Sequence, residues 1–159
     1  MPRFNQPPIP RSEALQPLSR DHYQGLVQSQ HLIKAADADA VQRRKVLSEF
    51  VDAWTQTIAE HFVDEERLLL EHLAEGDRER LLAEHAALRE LAEQALQQRR
   101  HVDPDADVLR QLGQRLHDHI RWEEREMFTH LEQRLSDQQL ADLGQQTEAI
   151  EASRRPHGT

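Results

Sequence analysis

Val51-Asp-Ala-Trp54-Thr-Gln-Thr-Ile58-Ala-Glu-His61-Phe-Val-Asp-Glu65-Glu-Arg-Leu68-Leu69 is the stretch on which the fold turns. Its apolar residues Val51, Trp54, Ile58, Leu68 and Leu69 recur at steps of three and four, the period of one helix face. His61 and Glu65 fall on the same stripe, so a helix here turns an imidazole and a carboxylate toward its own core. Glycine and proline, the strongest helix breakers, are absent from it.

The same reading extends outward. Leu18, His22, Leu26, Ser29 and Ile33 form a stripe before this stretch; Leu81, His85, Leu88 and Ala92 form one after it. A fourth holds Leu109, Leu112, Leu116, His119, Glu123 and Met127. Ser19, with Asp21 in the first turn, predicts a helix from there to about Ala36, and Asp37-Ala38-Asp39 a turn. A second helix is expected from about Ala40 to Ala74, stopping near Gly76. Asp77 is the expected cap of a third helix to about Arg100, and Asp103 before Pro104 opens a fourth to about Leu135. Ser136 and Gln139 resemble a capping box at the head of a short fifth helix to about Ala152. Four long helices with short connections predict an all-α, up-down-up-down four-helix bundle with a short C-terminal fifth helix. Strict heptads are not sustained, which disfavours a pair of coiled coils. Residues 1–18 are expected to be a proline-rich arm packed along the bundle of 19–135, and 136–159 the short helix and a disordered tail.

Composition excludes several functions. The 159 residues are 37% hydrophobic and 31% charged, which suits one domain with a solvated exterior. A net charge of −9 repels phosphate backbones, so nucleic acid is a poor partner. No cysteine is present, which removes disulfides, thiolate metal sites and cysteine nucleophiles. No run approaches the ~20 apolar residues that span a bilayer, so no membrane partner is expected. Met1 to Arg11 hold four prolines and no apolar core of a secretory signal, so the expected location is cytoplasmic.

Histidine is the unusual residue, ten in all, and each of the four long stripes carries one. Two stripes add a glutamate one turn later, and a buried carboxylate without a partner costs several kcal/mol. Arg67, Arg121 and Arg125 fall off the stripes and cannot balance it. A metal centre satisfies all six side chains, with ligand types that suit iron, manganese or zinc. An internal repeat strengthens this reading. His61-Phe-Val-Asp-Glu-Glu-Arg67 aligns with His119-Ile-Arg-Trp-Glu-Glu-Arg125, and His72-Leu73 with His130-Leu131 at the same offset of 58 residues. Two matching sets on diagonal helices predict two half-sites, hence two metal ions sharing carboxylates. His72 and His130 lie ~16 Å along the helices from His61 and His119, too far to join, and are read as caps of the core. His117 is expected to face solvent and His31 and His101 to be surface or loop residues; His157 has no assigned role. Trp54 and Trp122 are read as packing residues, and Tyr23 lies about 100° round its helix from His22.

These residues resemble the hemerythrin-like, or HHE cation-binding, domains. The resemblance covers about residues 15–135 and rests on Leu18-Ser-Arg-Asp-His22, His61-x3-Glu65-Glu66, Glu84-His85 and His119-x3-Glu123-Glu124. It implies a four-helix bundle holding a non-haem di-iron centre, two iron ions bridged by two carboxylates and an oxo or hydroxo group, with zinc or manganese as alternatives. Carried over by position, His22, His61, His85 and His119 are terminal ligands and Glu65 a bridge. The second bridge is Glu123, or Glu124 if the spacing follows the oxygen carriers. Those carriers have a His-x3-His pair on the third helix, whereas His85 has Leu81 and Arg89 one turn either side, and their second bridge is aspartate. Glu71 and Thr129 stand where family members often have proline. The pattern is more like the iron-sensing or stress-related domains than the respiratory carriers.

No glutamate stands three residues before any histidine, so the Glu-x-x-His signature of ferritin-like bundles is absent, as are His-Glu-x-x-His, phosphate loops and a Gly-x-Ser-x-Gly elbow. The expected function is a di-iron protein interacting with O2, NO or peroxide in sensing, storage or stress response. The alternative is a metal-stabilised helical interaction module without redox chemistry. A small diatomic or anionic ligand is the expected partner, with a protein partner or homodimer also open. Whether the chain is an enzyme is left open.

Overall fold

The computed structural model describes residues 11–154, and all of its regular structure is helical. The first ten residues of the expected arm, and the tail with His157, lie outside the described residues. In chain order the helices are α1 (Gln16–Ala36), α2 (Ala40–Ala53), α3 (Ala59–Leu69), α4 (Glu75–Gln98), α5 (Ala106–Trp122), α6 (Phe128–Arg134) and α7 (Asp137–Arg154). A π-helical turn, Trp54–Ile58, joins α2 to α3, and another, Glu123–Met127, joins α5 to α6, so each pair forms one rod. The described residues therefore form five helical rods. α1 packs chiefly on α5 and next on α2, while α4 packs on α5, α2 and α3.

Several predicted boundaries are corrected. α1 starts at Gln16 with Pro17 in its first turn, and Ser19 is no cap: its hydroxyl donates to Glu124 at 2.7 Å. The second rod ends in a 3-10 turn, Leu70–His72, and Gly76 lies inside α4 instead of stopping a helix. Asp77 sits in the first turn of α4 and accepts from His130 Nδ1 at 2.7 Å. Asp105 caps α5, accepting from Asp107 N at 2.9 Å, while Asp103 pairs with Arg43. The capping box of Ser136 and Gln139 is present, with bonds of 2.9 and 3.1 Å. The helix that it opens is not short; α7 has 18 residues.

The stripes bury for the most part, with Leu26, Ile33 and Trp54 only half-buried. Leu32 is fully buried and Ile33 only half, because a straight helix walks off a repeating three-four pattern. Two apolar clusters result. One gathers Leu32, Leu47, Phe50, Phe62, Leu88, Leu109 and Leu112; the other gathers Leu15, Leu69, Leu81, Met127, Phe128, Leu131 and Leu143. Histidines join them: Phe62 stacks on His85 with ring centres 4.0 Å apart, and Phe128 stacks on His22 at 5.5 Å.

The contact of α1 with α5 depends on Gly113. A Cβ there would come within 2.8 Å of Ile33 Cγ1, 2.9 Å of the Ser29 carbonyl oxygen and 3.0 Å of Leu32 Cβ. Backbone cannot yield as a side-chain tip can. Overpacking costs about 1–3 kcal/mol, against about 1 kcal/mol returned by alanine's helix propensity. Gly113→Ala is therefore expected to melt below the wild type. Gly25→Ala, which meets only the movable end of Ile120 within 3 Å, should melt close to it. A thermal scan giving the reverse order would contradict this packing.

Candidate metal centre

Six polar side chains converge where the rods meet: His22 from α1, His61 and Glu65 from α3, His85 from α4, His119 from α5, and Glu123 at the head of the second π turn. None is more than 4% exposed. His61 and His119 reach their glutamates at i, i+4, one helical turn away. The π turns were not legible in the periodicity; such turns often mark functional sites, and here one precedes His61 by less than a turn and the other contains Glu123.

The ligand-type atoms fall into two groups, each lying within 4.8 Å: His22, His61, Glu65 and Glu123; and Glu65, His85, His119 and Glu123. Both carboxylates belong to both groups. Glu65 Oε2 lies 3.1 Å from His61 Nε2 and 3.6 Å from His22 Nε2, while its Oε1 lies 3.2 Å from His85 Nε2. Glu123 Oε1 lies 2.7 Å from His22 Nε2, and its Oε2 lies 2.8 Å from His119 Nε2 and 3.6 Å from His85 Nε2. Each carboxylate thus turns one oxygen to each histidine pair. Glu124 is elsewhere: its oxygens take the Ser19 hydroxyl and His22 Nδ1.

The outer nitrogen of every core histidine is held by a carboxylate. Asp21 of α1 accepts from His61 Nδ1 at 2.9 Å, and Glu66 of α3 from His85 Nδ1 at 2.6 Å. Glu84 of α4 accepts from His119 Nδ1 at 2.7 Å, and Glu124, just past α5, from His22 Nδ1 at 2.6 Å. The four bonds close a circuit through the four rods in chain order. A proton fixed on Nδ1 leaves the Nε2 lone pair facing inward, the arrangement by which proteins orient metal-ligating histidines.

Those inward atoms fit a cation. All four Nε2 atoms and all four oxygens of Glu65 and Glu123 are buried without an aligned hydrogen-bond partner, despite their short separations. Eight orphaned polar atoms in one core would be costly in a chain that had nothing to place among them. Nitrogen and oxygen donors in this ratio suit iron, manganese or zinc.

The charges respond to this crowding. Burial pushes the His61 imidazolium down, but Glu65 and Asp21 outweigh it and lift its pKa to about 9. Burial is likewise outweighed at His85, where Glu123 and Glu65 raise it to about 9. His22 is held well above its ordinary value by Glu123, Glu124 and Glu65 against burial, and His119 is raised by Glu123 and Glu84. Burial opposes the charge of Glu123, yet His119, His22 and His85 hold it well below the usual carboxylate range.

The other histidines divide differently from expectation. His130 is exposed on Asp77 and His72 is half-buried beside Glu71, so neither caps the core, because each falls where its helix leaves the packed face. His117 is half-buried instead of solvent-facing, at 22% side-chain exposure. His31 and His101 are exposed, as is Tyr23; Trp122 is buried and Trp54 packs edge-on against Phe62. Asp21, Glu66 and Glu84 have no ligand role in the sequence pattern, although each stands next in sequence to a core residue.

Helices as the regular structure of the described residues, with a buried His/Glu cluster that could hold a cation, define a metal-binding helical domain. The family model described as the hemerythrin HHE cation binding domain matches residues 18–131, and the chain belongs to that family. No match was found among curated proteins or among solved structures. Among the described residues no helix is long and apolar enough to cross a membrane.

Proposed function

We propose that this protein holds two metal ions, iron in preference, with His22 and His61 on one, His85 and His119 on the other, and Glu65 and Glu123 shared. The observation that carries the reading is the division of each buried carboxylate, one oxygen to each histidine pair. The metal-holding unit is the bundle of residues 19–135. Its four rods alternate in direction, a reading supported by connections as short as Asp37–Asp39 and Leu73–Ala74.

Iron so held supplies redox chemistry and Lewis acidity toward O2, NO or peroxide, in sensing, storage or stress response. The chain's own residues do the rest. The outer carboxylates hold each Nδ1 proton, and the apolar walls exclude bulk water. A narrow cleft beside the ligands, walled by Gly25, Ile58, Phe62, Leu116 and Ile120, suits a ligand of a few atoms better than an organic molecule. Around His85, Leu81 is fully buried and Arg89 pairs with Glu66, so no fifth histidine completes the set.

Elemental analysis and ultraviolet–visible spectra of anaerobically purified protein, before and after oxygen, test the reading. Two irons per chain are expected, with oxidation in air within minutes and no long-lived adduct that reverses when oxygen is removed. A stable reversible adduct would make the protein a carrier. One zinc per chain, or no metal after iron-replete growth, would overturn the di-iron reading and favour a metal-locked interaction module.

A further inference from the structure

Behind each outer carboxylate stands an arginine. Arg80 Nε lies 2.7 Å from Glu84, which holds His119, and Arg89 Nη2 lies 2.9 Å from Glu66, which holds His85. Arg154 Nη1 lies 2.5 Å from Asp21, which holds His61, and also pairs with Asp64. Arg11, 6% exposed, lies 4.0 Å from Glu124 Oε1, donates to the Glu124 carbonyl oxygen and pairs with Glu132 at 2.7 Å. A cation behind the carboxylate fixes it in place, and so fixes the imidazole in front of it.

The four arginines have different origins. Arg80 and Arg89 both belong to α4, within the bundle. Arg11 and Arg154 come from outside the span that matches the family, one before α1 and the other at the last turn of α7. These two segments are packed on each other. Thr147 Oγ1 donates to the Ala14 carbonyl oxygen at 2.8 Å, Leu15 and Leu143 share one apolar cluster, and Gly144 lies beside Ala14. Together they close over the His22 and His61 side of the cluster and leave the other side to α4.

We propose that residues 11–15 and α7 form a clasp in which Arg11 and Arg154 are positioning residues for the His22/His61 pair alone, so that the two halves of the centre release their ions independently. The clasp rests on the two-ion reading above. A cation on the His85/His119 side is held by the bundle itself; one on the His22/His61 side is held only as firmly as the flanking segments are docked.

The test is release of Zn2+, as a probe metal, from the loaded full chain to an excess of a coloured chelator. Arg154→Gln and Arg11→Gln should each speed the release of one of the two ions about tenfold, the lower end of the effect of disturbing a ligand's outer partners, and leave the other unchanged. Arg89→Gln should speed the other ion instead. Arg154→Lys, which keeps the charge, should recover most of the wild-type rate; a purely structural role for α7 would not give this split or this rescue. Equal helical content by circular dichroism confirms that the variants are folded. A wild type that takes up two ions, with Arg154→Gln speeding both or neither, overturns the clasp alone. A wild type that takes up fewer than two overturns the proposed function and the clasp with it.

Discussion

Glu65→Ala is expected to empty the centre of both ions, whereas His22→Ala should leave one of them in place. Glu65 offers an oxygen to each histidine pair, and His22 belongs to a single group. Because an ion that binds only the folded chain stabilises it, the loss should appear in melting as well as in metal content. At a free metal concentration about 1,000 times Kd, a site contributes about 4 kcal/mol, which for a chain of this size is on the order of 10 °C in Tm. The comparison belongs between loaded and metal-free forms of each variant, since removing a buried side chain also changes packing. Glu123→Ala should behave like Glu65→Ala. Glu124→Ala should keep two ions and hold the one at His22 about tenfold more weakly, because it touches Nδ1 and not the interior. Equal metal content in Glu65→Ala and His22→Ala would remove Glu65 from its shared role.

Metal affinity is expected to climb steeply with pH while the metal-free fold weakens. In the metal-free chain His61 and His85 bind their protons up to about pH 9, against 6.5 for an ordinary histidine. A folded pKa above the unfolded one contributes stability that is complete below about pH 6.5 and is lost as pH rises through about 9. The metal-free Tm should therefore fall across that window as far as these groups govern it. A cation needs the same nitrogens unprotonated, so binding must release those protons. His61 lies in one group and His85 in the other, so each ion displaces at least one of these protons, and its apparent affinity rises at least about tenfold per pH unit below pH 9. Calorimetric titrations in buffers of different ionisation enthalpy count the protons; zero released at pH 7 would refute the charge state assigned here.

What the sequence revealed was whatever lies along a single helix. His22, His61, His85, His119, Glu65 and Glu123 share their stripes with leucines, and burial followed from the stripe. What it concealed depends on neighbours. Asp21, Glu66 and Glu84 each lie about 100° round the helix from a core residue, on a flank that looks solvated until the adjoining rod is in place. The arginines are further still: Arg154 lies 133 residues from Asp21 in the chain, and no local pattern connects them. Ser19 and Asp77 look like helix punctuation but serve cross-helix contacts, because side-chain chemistry suits a cap and a cross-helix bond equally.

The order of letters in the four doublets carries a sense of rotation. Asp21 and Glu84 stand one position before a core histidine, whereas Glu66 and Glu124 stand one position after a core glutamate. One step back on a helix running down and one step forward on a helix running up turn the same way about a common vertical axis. The alternation of before and after is therefore what rods of alternating direction need if every carboxylate is to lean clockwise, or every one counterclockwise, onto the next rod. An inverted doublet on α1 would lean the other way, toward α5, and His61 would lose its anchor while His22 gained nothing.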